Sequence, residues 1–214
     1  MAVIRKKMKK TLRIGTRDSE LALWQTKKVQ TLLENFGYTT SLVPVKSQGD
    51  LSLDIPLYEM GITGVFTKVL DVAMLQGSID IAVHSMKDVP TSLPKGIVKG
   101  AVLTRANVQD VLVYKDGLDF LSQEQATIAT GSLRRKAQWL RRYPTHQVEN
   151  LRGNIATRLH KLHEHSWHGA IFAAAALERL AQDHLQRLSL EWMTPAPAQG
   201  AILAVAMDSD PYTL

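Results

Sequence analysis

This chain of 214 residues contains no cysteine, and that absence excludes several kinds of chemistry. Disulfide bonds, thiolate metal sites and cysteine nucleophiles cannot form within it. A chain without disulfides fits a cytosolic compartment, where thiols are kept reduced. Aromatic residues are scarce as well, at 6% of the chain. Only Trp139 and Tyr143 fall within the most basic stretch, which is too few for the stacking platform of a single-stranded nucleic-acid binder.

The sequence also lacks a long apolar run. The basic first ten residues, MAVIRKKMKK, are followed by TLRIGTRDSELALW, which charges interrupt. A secretion signal would instead continue with an apolar stretch of roughly 7–15 residues. No stretch reaches the ~18 apolar residues of a membrane span. We therefore expect a cytoplasmic protein that does not enter a membrane, with a solvated amino terminus.

What the chain does contain is an ordinary apolar fraction and an excess of positive charge. Hydrophobic residues make up 45% and the formal net charge is +6. This length and composition suffice for one large or two small domains with hydrophobic cores. The positive balance favours an anionic partner, which can be nucleic acid, a membrane surface or a polyacidic small molecule.

Stretches typical of strands and helices alternate along the chain. Residues 11–17 predict a strand, and SELALWQTKKVQTLLENFG carries apolar residues at helical spacing as far as Gly37. The same order recurs in TTSLVPVKS, TGVFTKVLDVAMLQG and SIDIAVH, and then in QATIATGS, LRRKAQWLRR, QVENLRGN, IATRLHKLHE and GAIFAAAALERLA. Such alternation predicts α/β architecture, with parallel sheets covered by helices.

Two stretches have the character of linkers. They are residues 103–111 and residues 193–201, the second of which contains two prolines and a glycine. Two crossings between two α/β lobes would leave a cleft between the lobes. We predict that residues 1–104 plus 199–214 form domain 1 and that residues 105–198 form domain 2. Ligands of open α/β sheets bind beyond the carboxyl ends of the strands.

One predicted strand ends in an unusual set of polar residues. The stretch DIAVHSMKDVPTSLP places His84, Ser85, Lys87 and Asp88 at the tip of a buried strand. A carboxylate beside cations stays ionised, so Asp88 could stabilise a cationic intermediate or handle a proton. The alternative is an ordinary turn aspartate before Val-Pro, and the spacing alone leaves both open.

Basic residues concentrate between positions 130 and 161, where Glu149 is the only acid. TGSLRR and LRGNIATR each run from a predicted strand end into the first turn of a helix, where free backbone N–H groups favour an anion. Guanidinium groups suit carboxylates and phosphates. The candidate anion-binding residues in these two stretches are Thr130, Ser132, Arg134, Arg135, Arg152 and Arg158. Lys136, Arg141 and Arg142 lie farther along a helix and are expected to face water.

Two other interpretations are weaker. His160, His163, His165 and His168 lie close together with Glu164, as metal ligands can, but no His-Glu-x-x-His motif is present, so we predict no metal site. No helix-turn-helix or zinc-finger spacing appears, so we predict no nucleic-acid partner. A cleft with several arginines and one carboxylate suits a small polyanion better.

Four stretches together resemble one known family. TRDSELALWQ, DIAVHSMKDVP, GSLRRKAQ and LRGNIATRL, in this order and spacing, resemble the porphobilinogen deaminases, also called hydroxymethylbilane synthases, from about Leu12 to the end of the chain. The resemblance implies two lobes like those of type II periplasmic binding proteins, with the active site in the interdomain cleft. It implies a cytoplasmic, monomeric transferase of tetrapyrrole (haem) biosynthesis that joins four porphobilinogen units into hydroxymethylbilane and releases ammonia.

The resemblance also assigns roles to individual positions. The catalytic aspartate of the family falls on Asp88, which would stabilise the pyrrole cations formed as ammonia leaves. The positions implied to bind substrate or cofactor are Arg17, Ser19, Ser85, Lys87, Thr130, Ser132, Arg134, Arg135, Arg152, Arg158 and Gln199.

The sequence departs from the family in three ways. The family has a third, α+β domain whose cysteine carries a dipyrromethane primer, whereas this sequence stops soon after the second lobe and has no cysteine. We therefore expect no covalently bound dipyrromethane and little turnover, with a non-catalytic binding module for pyrrole or other polycarboxylates as the alternative. Second, a loop that often carries lysines in the family has Glu59 and Thr63 here. Third, PAPAQGA replaces the more usual Pro-Ala-Val-Gly-Gln-Gly.

Overall fold

The computed structural model describes residues 10–45 and 67–213. The loop with Glu59 and Thr63, and most of the basic amino terminus, lie outside the described residues. The described elements are β1 (Leu12–Thr16), α1 (Glu20–Asn35), β2 (Thr40–Pro44), α2 (Lys68–Leu75), β3 (Ile81–Ser85), β4 (Ile97–Val102), β5 (Asp110–Tyr114), β6 (Thr127–Ala129), α3 (Leu133–Arg142), β7 (Gln147–Glu149), α4 (Ile155–Glu164), β8 (Gly169–Ala173), α5 (Ala174–Arg179), β9 (Arg187–Ser189) and β10 (Ile202–Met207).

These elements form two five-stranded sheets. The first has the order β2-β1-β3-β10-β4 and the second the order β7-β6-β8-β5-β9. In the first sheet β1 is parallel to β2 and β3, while β10 is antiparallel to both β3 and β4. In the second, β6 is parallel to β7 and β8, while β5 is antiparallel to β8 and β9. Each lobe is therefore built on a mixed sheet.

Helices cover the first sheet on both faces. Val29 of α1 packs with Leu12, Ile14 and Ile81 on one face, because the apolar side chains of a strand alternate between faces. Leu70 of α2 belongs to the apolar cluster on the other. Strand β3 is buried over its first four residues, so the polar turn that follows it stands on a fixed base.

The second sheet is covered in the same way. Leu162 of α4 and Leu177 of α5 share one apolar cluster with Phe172 of β8. On the opposite face Trp139 of α3 packs against Leu112 and Ile128 and is fully buried. Burying a side chain of this size contributes a few kcal/mol to lobe stability. It also fixes the axis of α3, whose first turn faces the other lobe.

The chain crosses between the two sheets twice, in residues 103–109 and 190–201, which we call the crossing segments. They are hydrogen-bonded to each other. Ala106 N donates to Gly200 O at 3.1 Å and Arg105 Nε donates to Gln199 O at 2.8 Å. The predicted domain limits at 104/105 and 198/199 fall inside these segments and remain a prediction. Strands β1–β4 and β10 on one side, and β5–β9 on the other, are consistent with them.

The structure corrects part of the secondary-structure prediction. Fully parallel sheets were wrong, because β10 and β5 run antiparallel to their neighbours. The predicted linker at 103–111 was too long, since β5 begins at Asp110. Strands β4, β5, β9 and β10 were not predicted. A continuous apolar run such as ILAVAM shows that a strand is buried but not in which direction it is paired.

Among the residues that the structure describes, no helix is both long enough and apolar enough to cross a membrane.

Candidate active site

A cavity of about 340 Å³ lies between the two lobes. It is lined by the end of β3 and the start of α1 from the first lobe, and by the first turns of α3 and α4 from the second. Eleven of the twelve predicted site residues line it, namely Arg17, Ser19, Ser85, Lys87, Asp88, Ser132, Arg134, Arg135, Arg152, Arg158 and Gln199. Thr130 is not among the lining residues and is 5% exposed. Its Oγ1 accepts a hydrogen bond from Ser132 N at 3.2 Å, so it supports the turn behind the cavity wall.

Asp88 stands on a short 3-10 turn, Met86–Asp88, that continues from β3. The turn begins where Met86 N donates to Ala201 O at 3.0 Å and ends where Val89 N donates to Met86 O at 3.2 Å. The chain then becomes extended at Val89, as a residue before proline prefers. The Asp88 side chain is exposed to the cavity, and no described residue donates a hydrogen bond to its carboxylate. The carboxylate is therefore open to a ligand.

Lys87 lies beside Asp88, and its Nζ donates to Gln199 Oε1 at 3.2 Å. Its side-chain surface is exposed, but it faces a cleft enclosed by protein rather than open solvent. Burial between the cleft walls lowers the pKa of Lys87 to about 8, and the cations Arg135 and Arg158 lower it further while Asp88 and Asp110 oppose the shift. Lys87 is therefore a cation at neutral pH that a nearby anion would stabilise.

Helix α3 brings Ser132, Arg134 and Arg135 to the cavity. Ser132 is the N-cap, and its Oγ faces Arg135 N at 3.4 Å. The preceding Gly131 allows close approach to the neighbouring chain, because a Cβ there would lie 2.5 Å from Leu151 O. The first turn of α3 therefore directs backbone N–H groups and two guanidinium groups toward the cleft.

Asp110 at the start of β5 holds both of these arginines, and sequence reasoning missed it. Arg135 Nε and Nη2 donate to Asp110 Oδ1 at 3.0 and 2.7 Å, and Arg134 Nη2 donates to Oδ2 at 2.7 Å. Asp110 is fully buried. Burial alone would raise the pKa of Asp110, but Arg135, Gln199 and Arg134 lower it below its usual range. No local pattern could have shown this pairing, because Asp110 precedes the arginines by more than twenty residues.

Helix α4 contributes Arg158. Asn154 is its N-cap, and Asn154 Oδ1 accepts from Thr157 N at 2.8 Å. Arg158 Nε donates to Gly153 O at 2.7 Å, which fixes the guanidinium over the first turn. Burial and the nearby Arg135 lower the pKa of Arg158 to about 10, so it keeps its charge at neutral pH. Arg152, just before the turn, is 4% exposed and also lines the cavity.

The first lobe adds residues from β1, α1 and β3. Ser19 is the N-cap of α1 and lines the cavity beside Arg17. Ser85 Oγ is held by Gln25 Nε2 at 2.9 Å. His84 also lines the cavity, although it was not proposed as a site residue. Burial and the charge of Arg17 lower the pKa of His84 to about 4, so the imidazole is neutral at physiological pH.

The described lining of the cavity is strongly cationic. The carboxylates of Glu20 and Asp88 face six basic side chains, those of Arg17, Lys87, Arg134, Arg135, Arg152 and Arg158. In an enclosed site the positive potential is screened less than at an open surface. The site therefore suits a small molecule with several carboxylates, with the Asp88 carboxylate available to act on it.

The histidine cluster lies elsewhere and forms ordinary contacts. His160 Nε2 pairs with Glu164 at 3.0 Å, His165 stacks on Trp167 with ring centroids 4.2 Å apart, and His168 Nδ1 accepts from Thr127 N at 3.1 Å. Within residues 10–45 and 67–213, no group of three histidine or acidic side chains is arranged to hold a metal ion.

Comparison with known proteins identifies the family. Residues 12–214 match the family model described as porphobilinogen deaminase, dipyromethane cofactor binding domain. The chain belongs to the porphobilinogen deaminase family. It is 45% identical over 208 residues to the porphobilinogen deaminase of Syntrophotalea carbinolica, a match that covers 95% of this chain and 66% of that protein. It is 45% identical to the enzyme of Desulforamulus reducens, covering 97% of this chain and 69% of that protein.

The relatives are longer than this chain. The probable porphobilinogen deaminase of Methanocaldococcus jannaschii, 44% identical, is likewise covered over 68% of its length. This member of the porphobilinogen deaminase family thus spans about two thirds of the length of these curated relatives.

Solved structures of low sequence identity share the fold. An ancestral cationic amino acid solute-binding protein superimposes with a TM-score of 0.56 at 15% identity, over 95% of this chain and 86% of its own. The VFT2 domain of Bordetella pertussis BvgS gives 0.55 at 12% identity, over 94% and 82%. These similarities support the two-lobed α/β fold of type II periplasmic binding proteins, as the family resemblance implied.

Proposed function

We propose that this chain provides the catalytic cleft of a hydroxymethylbilane synthase, which joins four porphobilinogen units head to tail and releases ammonia. The observation that carries the proposal is the Asp88 carboxylate, to which no described residue donates a hydrogen bond, in a cavity that six described cations line. Membership of the porphobilinogen deaminase family supports the same reaction. This reaction is a step in the biosynthesis of haem and other tetrapyrroles.

The cations are proposed to bind the acidic side chains of the substrate. Each pyrrole carries an acetate and a propionate, so the growing chain is a polyanion. Arg158 and Arg152 on one lobe, and Arg17 and Lys87 on the other, face the cavity from two sides. Guanidinium groups hold carboxylates in two-point contacts. Ser19, Ser85 and Ser132 add hydroxyl groups, whereas Thr130 supports the turn from behind.

Arg134 and Arg135 each donate to the buried carboxylate of Asp110. Their remaining N–H groups and the backbone of the first turn of α3 can still face a carboxylate. We propose that Asp110 keeps these two guanidinium groups in place before the substrate arrives. Such preorganisation reduces the reorganisation that binding requires.

Asp88 is proposed to act on the reacting carbon. As the C–N bond to the departing ammonia breaks, positive charge develops on the substrate pyrrole, and the carboxylate stabilises it. A carbon of the second pyrrole then forms the new C–C bond and loses its proton to the Asp88 carboxylate, which lines the cavity.

The family implies a dipyrromethane group, and the donor set of this cavity fits its carboxylates. Arg17, Lys87, Arg152 and Arg158 are the residues that would hold them. The chain contains no cysteine to attach the group covalently. When bound, dipyrromethane supplies the pyrrole end that the first substrate unit extends. We further propose a cytoplasmic monomer with no nucleic-acid partner, consistent with a cleft that fits small polyanions.

The test separates binding from chemistry. Titration calorimetry with porphobilinogen and an ammonia-release assay are carried out on the wild-type chain, on Asp88→Asn and on Arg158→Ala. We expect Asp88→Asn to bind within about threefold of wild type and to release no ammonia. Arg158→Ala should weaken binding about 10- to 100-fold through loss of a charge-assisted contact.

Two outcomes would contradict the proposal. If Asp88→Asn weakens binding as much as Arg158→Ala does, Asp88 is a structural residue. If wild type binds porphobilinogen but releases no ammonia, with or without added dipyrromethane, the non-catalytic binding module is the better description.

A further inference from the structure

Gln199 lies in the second crossing segment and links the two lobes through its side-chain amide. It is fully buried, although the resemblance implied that it contacts a ligand. Its Nε2 donates to Val108 O at 2.7 Å and to Asp110 Oδ1 at 2.9 Å. Its Oε1 accepts from Lys87 Nζ at 3.2 Å. Both ends of the amide are therefore occupied by protein groups.

The orientation of this amide follows from its partners. Val108 O and the ionised Asp110 carboxylate are acceptors only, so the NH₂ group must face them. The oxygen is then left facing Lys87, which is a donor only. Glutamate at this position would set a carboxylate against two acceptors. The arrangement therefore selects glutamine specifically, beyond the need to fill space.

The backbone on each side of Gln199 is also held. Arg105 Nε donates to Gln199 O at 2.8 Å, and Gln199 N donates to Ala196 O at 3.0 Å. Asp110, which accepts a hydrogen bond from the Gln199 amide, is itself fixed by hydrogen bonds from Arg134 and Arg135. Gln199 is therefore a rigid support, whereas the Lys87 side chain that it holds stands in the exposed turn after β3.

We propose that Gln199 is a positioning residue that, anchored on Val108 and Asp110, holds the Lys87 ammonium group at the wall of the cleft beside Asp88. It acts on the substrate through Lys87 and makes no ligand contact itself. The inference rests on the proposed function only for the role of Lys87 toward substrate carboxylates. The contact between Gln199 and Lys87 can be tested with no substrate present.

The ionisation of Lys87 reports its position. The charged groups that face it are Asp88 on its own turn, Arg135 of α3, Asp110 of β5 and Arg158 of α4, and burial is the largest influence, lowering its pKa to about 8. A Lys87 side chain released from Gln199 would move its ammonium group toward solvent. Its pKa would then rise toward the ordinary value of about 10.4.

The first experiment measures the reactivity of Lys87 against pH. The full chain is labelled with limiting acetic anhydride, and acetylation of the Lys87 peptide is quantified by mass spectrometry for wild type, Gln199→Met and the control Gln186→Met. Gln186 is an exposed glutamine. We expect the midpoint to rise by about one pH unit or more in Gln199→Met and to stay unchanged in Gln186→Met. An unchanged or lower midpoint in a folded Gln199→Met chain overturns the proposal.

A second measurement needs no variant and decides the matter if Gln199→Met fails to fold. The side-chain amide signals of ¹⁵N-labelled wild-type protein, assigned sequentially, are followed through the titration of Lys87. Gln199 Nε2 should shift with the same midpoint as Lys87, near the pKa of about 8, while Gln186 Nε2 should not. If the Gln199 Nε2 signal does not shift as Lys87 titrates, the proposal is overturned. Because no substrate is present, that result does not bear on the proposed function.

Discussion

Lys87 and Asp88 are neighbours in sequence, yet their side chains differ in their hydrogen-bond partners. No described residue donates a hydrogen bond to the Asp88 carboxylate, whereas Lys87 Nζ donates to Gln199 and lies among other cations. Burial lowers the pKa of Lys87 to about 8, well below its ordinary value. The folded chain thus keeps a proton on Lys87 less firmly than the unfolded chain does. A bound carboxylate reverses that preference, because an opposite charge favours the ammonium form.

Ligand binding in alkaline solution should therefore take up a proton. At about pH 9, Lys87 is mostly neutral in the free chain and becomes protonated when a substrate carboxylate binds. We expect uptake of up to one proton, measured by calorimetry with porphobilinogen in buffers of different ionisation enthalpy. Lys87→Met should abolish the uptake. Equal binding enthalpies in all buffers for wild type would contradict this account.

Asp80 illustrates a structural carboxylate. Arg13 N and Nε donate to its Oδ2 at 2.8 and 3.0 Å, and Arg13 Nη2 and Lys10 Nζ contact its Oδ1 at 2.8 and 2.9 Å. Burial would raise the pKa of Asp80, but the hydrogen bonds from Arg13 lower it far below its usual range. The carboxylate joins the start of β1 to the residue just before β3.

Asp80→Asn should lower the free energy of unfolding by about 2 kcal/mol at neutral pH, through loss of charge-assisted hydrogen bonds. Since the folded pKa is depressed, the stabilisation is present above the unfolded value of about 3.9 and is lost as pH falls below it. The difference in free energy of unfolding between wild type and Asp80→Asn, measured by urea unfolding, should be smaller below about pH 4 than at neutral pH. Asp208→Asn, at an exposed position, is the control. Equal losses of unfolding free energy in the two variants would contradict the prediction.

At the scale of elements, the site depends on where helices begin. Helices α3 and α4 both start at the cavity, capped by Ser132 and Asn154. Their first turns carry arginines, which the helix dipole disfavours unless an anion is present. Arginine in a first turn is unfavourable for the helix alone and favourable when an anion is bound there, which is consistent with a binding role for these arginines. The cap at Asn154 is the stronger of the two, with 2.8 Å to Thr157 N against 3.4 Å for Ser132 to Arg135 N.

Two substitutions at Asn154 should separate stability from binding. Asn154→Ala removes the cap and should lower the free energy of unfolding by about 1 kcal/mol, with a small effect on porphobilinogen affinity. Asn154→Asp keeps the cap acceptor but adds a negative charge to the cavity wall, so stability should hold while affinity falls severalfold. Chemical denaturation and calorimetry measure the two quantities. The argument fails if Asn154→Asp binds as tightly as wild type at low ionic strength.

At the scale of the whole molecule, the two crossing segments set the relation between the lobes. Gly200 has φ of +89°, and a Cβ there would lie 2.6 Å from Ala106 O and 2.9 Å from Asn107 O. Arg179 Nη2 and Ala106 N both donate to Gly200 O, at 2.6 and 3.1 Å. The segments are therefore packed backbone against backbone, with no room for a side chain between them.

Gly200→Ala should consequently disturb the interlobe contact. Gly96→Ala is a matched control, because Gly96 has the same φ of +89° but a Cβ there would meet only the flexible end of Met207. Both changes incur the backbone strain of about 1–2 kcal/mol. Gly200→Ala should cost about 2 kcal/mol more, because backbone atoms must move, and should increase the radius of gyration in X-ray scattering. Equal unfolding free energies for the two variants would refute it.

The sequence by itself determined a large part of this protein. Strand–helix alternation indicated two α/β lobes, and the polar residues after β1, β3, β6 and β7 indicated the cleft, because side chains at strand ends and helix starts are placed by local backbone geometry. The positions of Asp88, Arg152 and Arg158 follow from the same local rules. Eleven of twelve candidate residues accordingly line one cavity.

Tertiary structure decided the rest. The direction of β5 and β10, the burial of Gln199 and the pairing of Asp110 with Arg134 and Arg135 all join residues far apart in the chain. An apolar stretch has the same composition whether its strand pairs parallel or antiparallel. The sequence around an aspartate likewise does not show which distant residues it will pair with. The contacts of Asp110 with Arg134 and Arg135, and of Gln199 with Lys87, form only when the second sheet and the crossing segments bring these distant residues together.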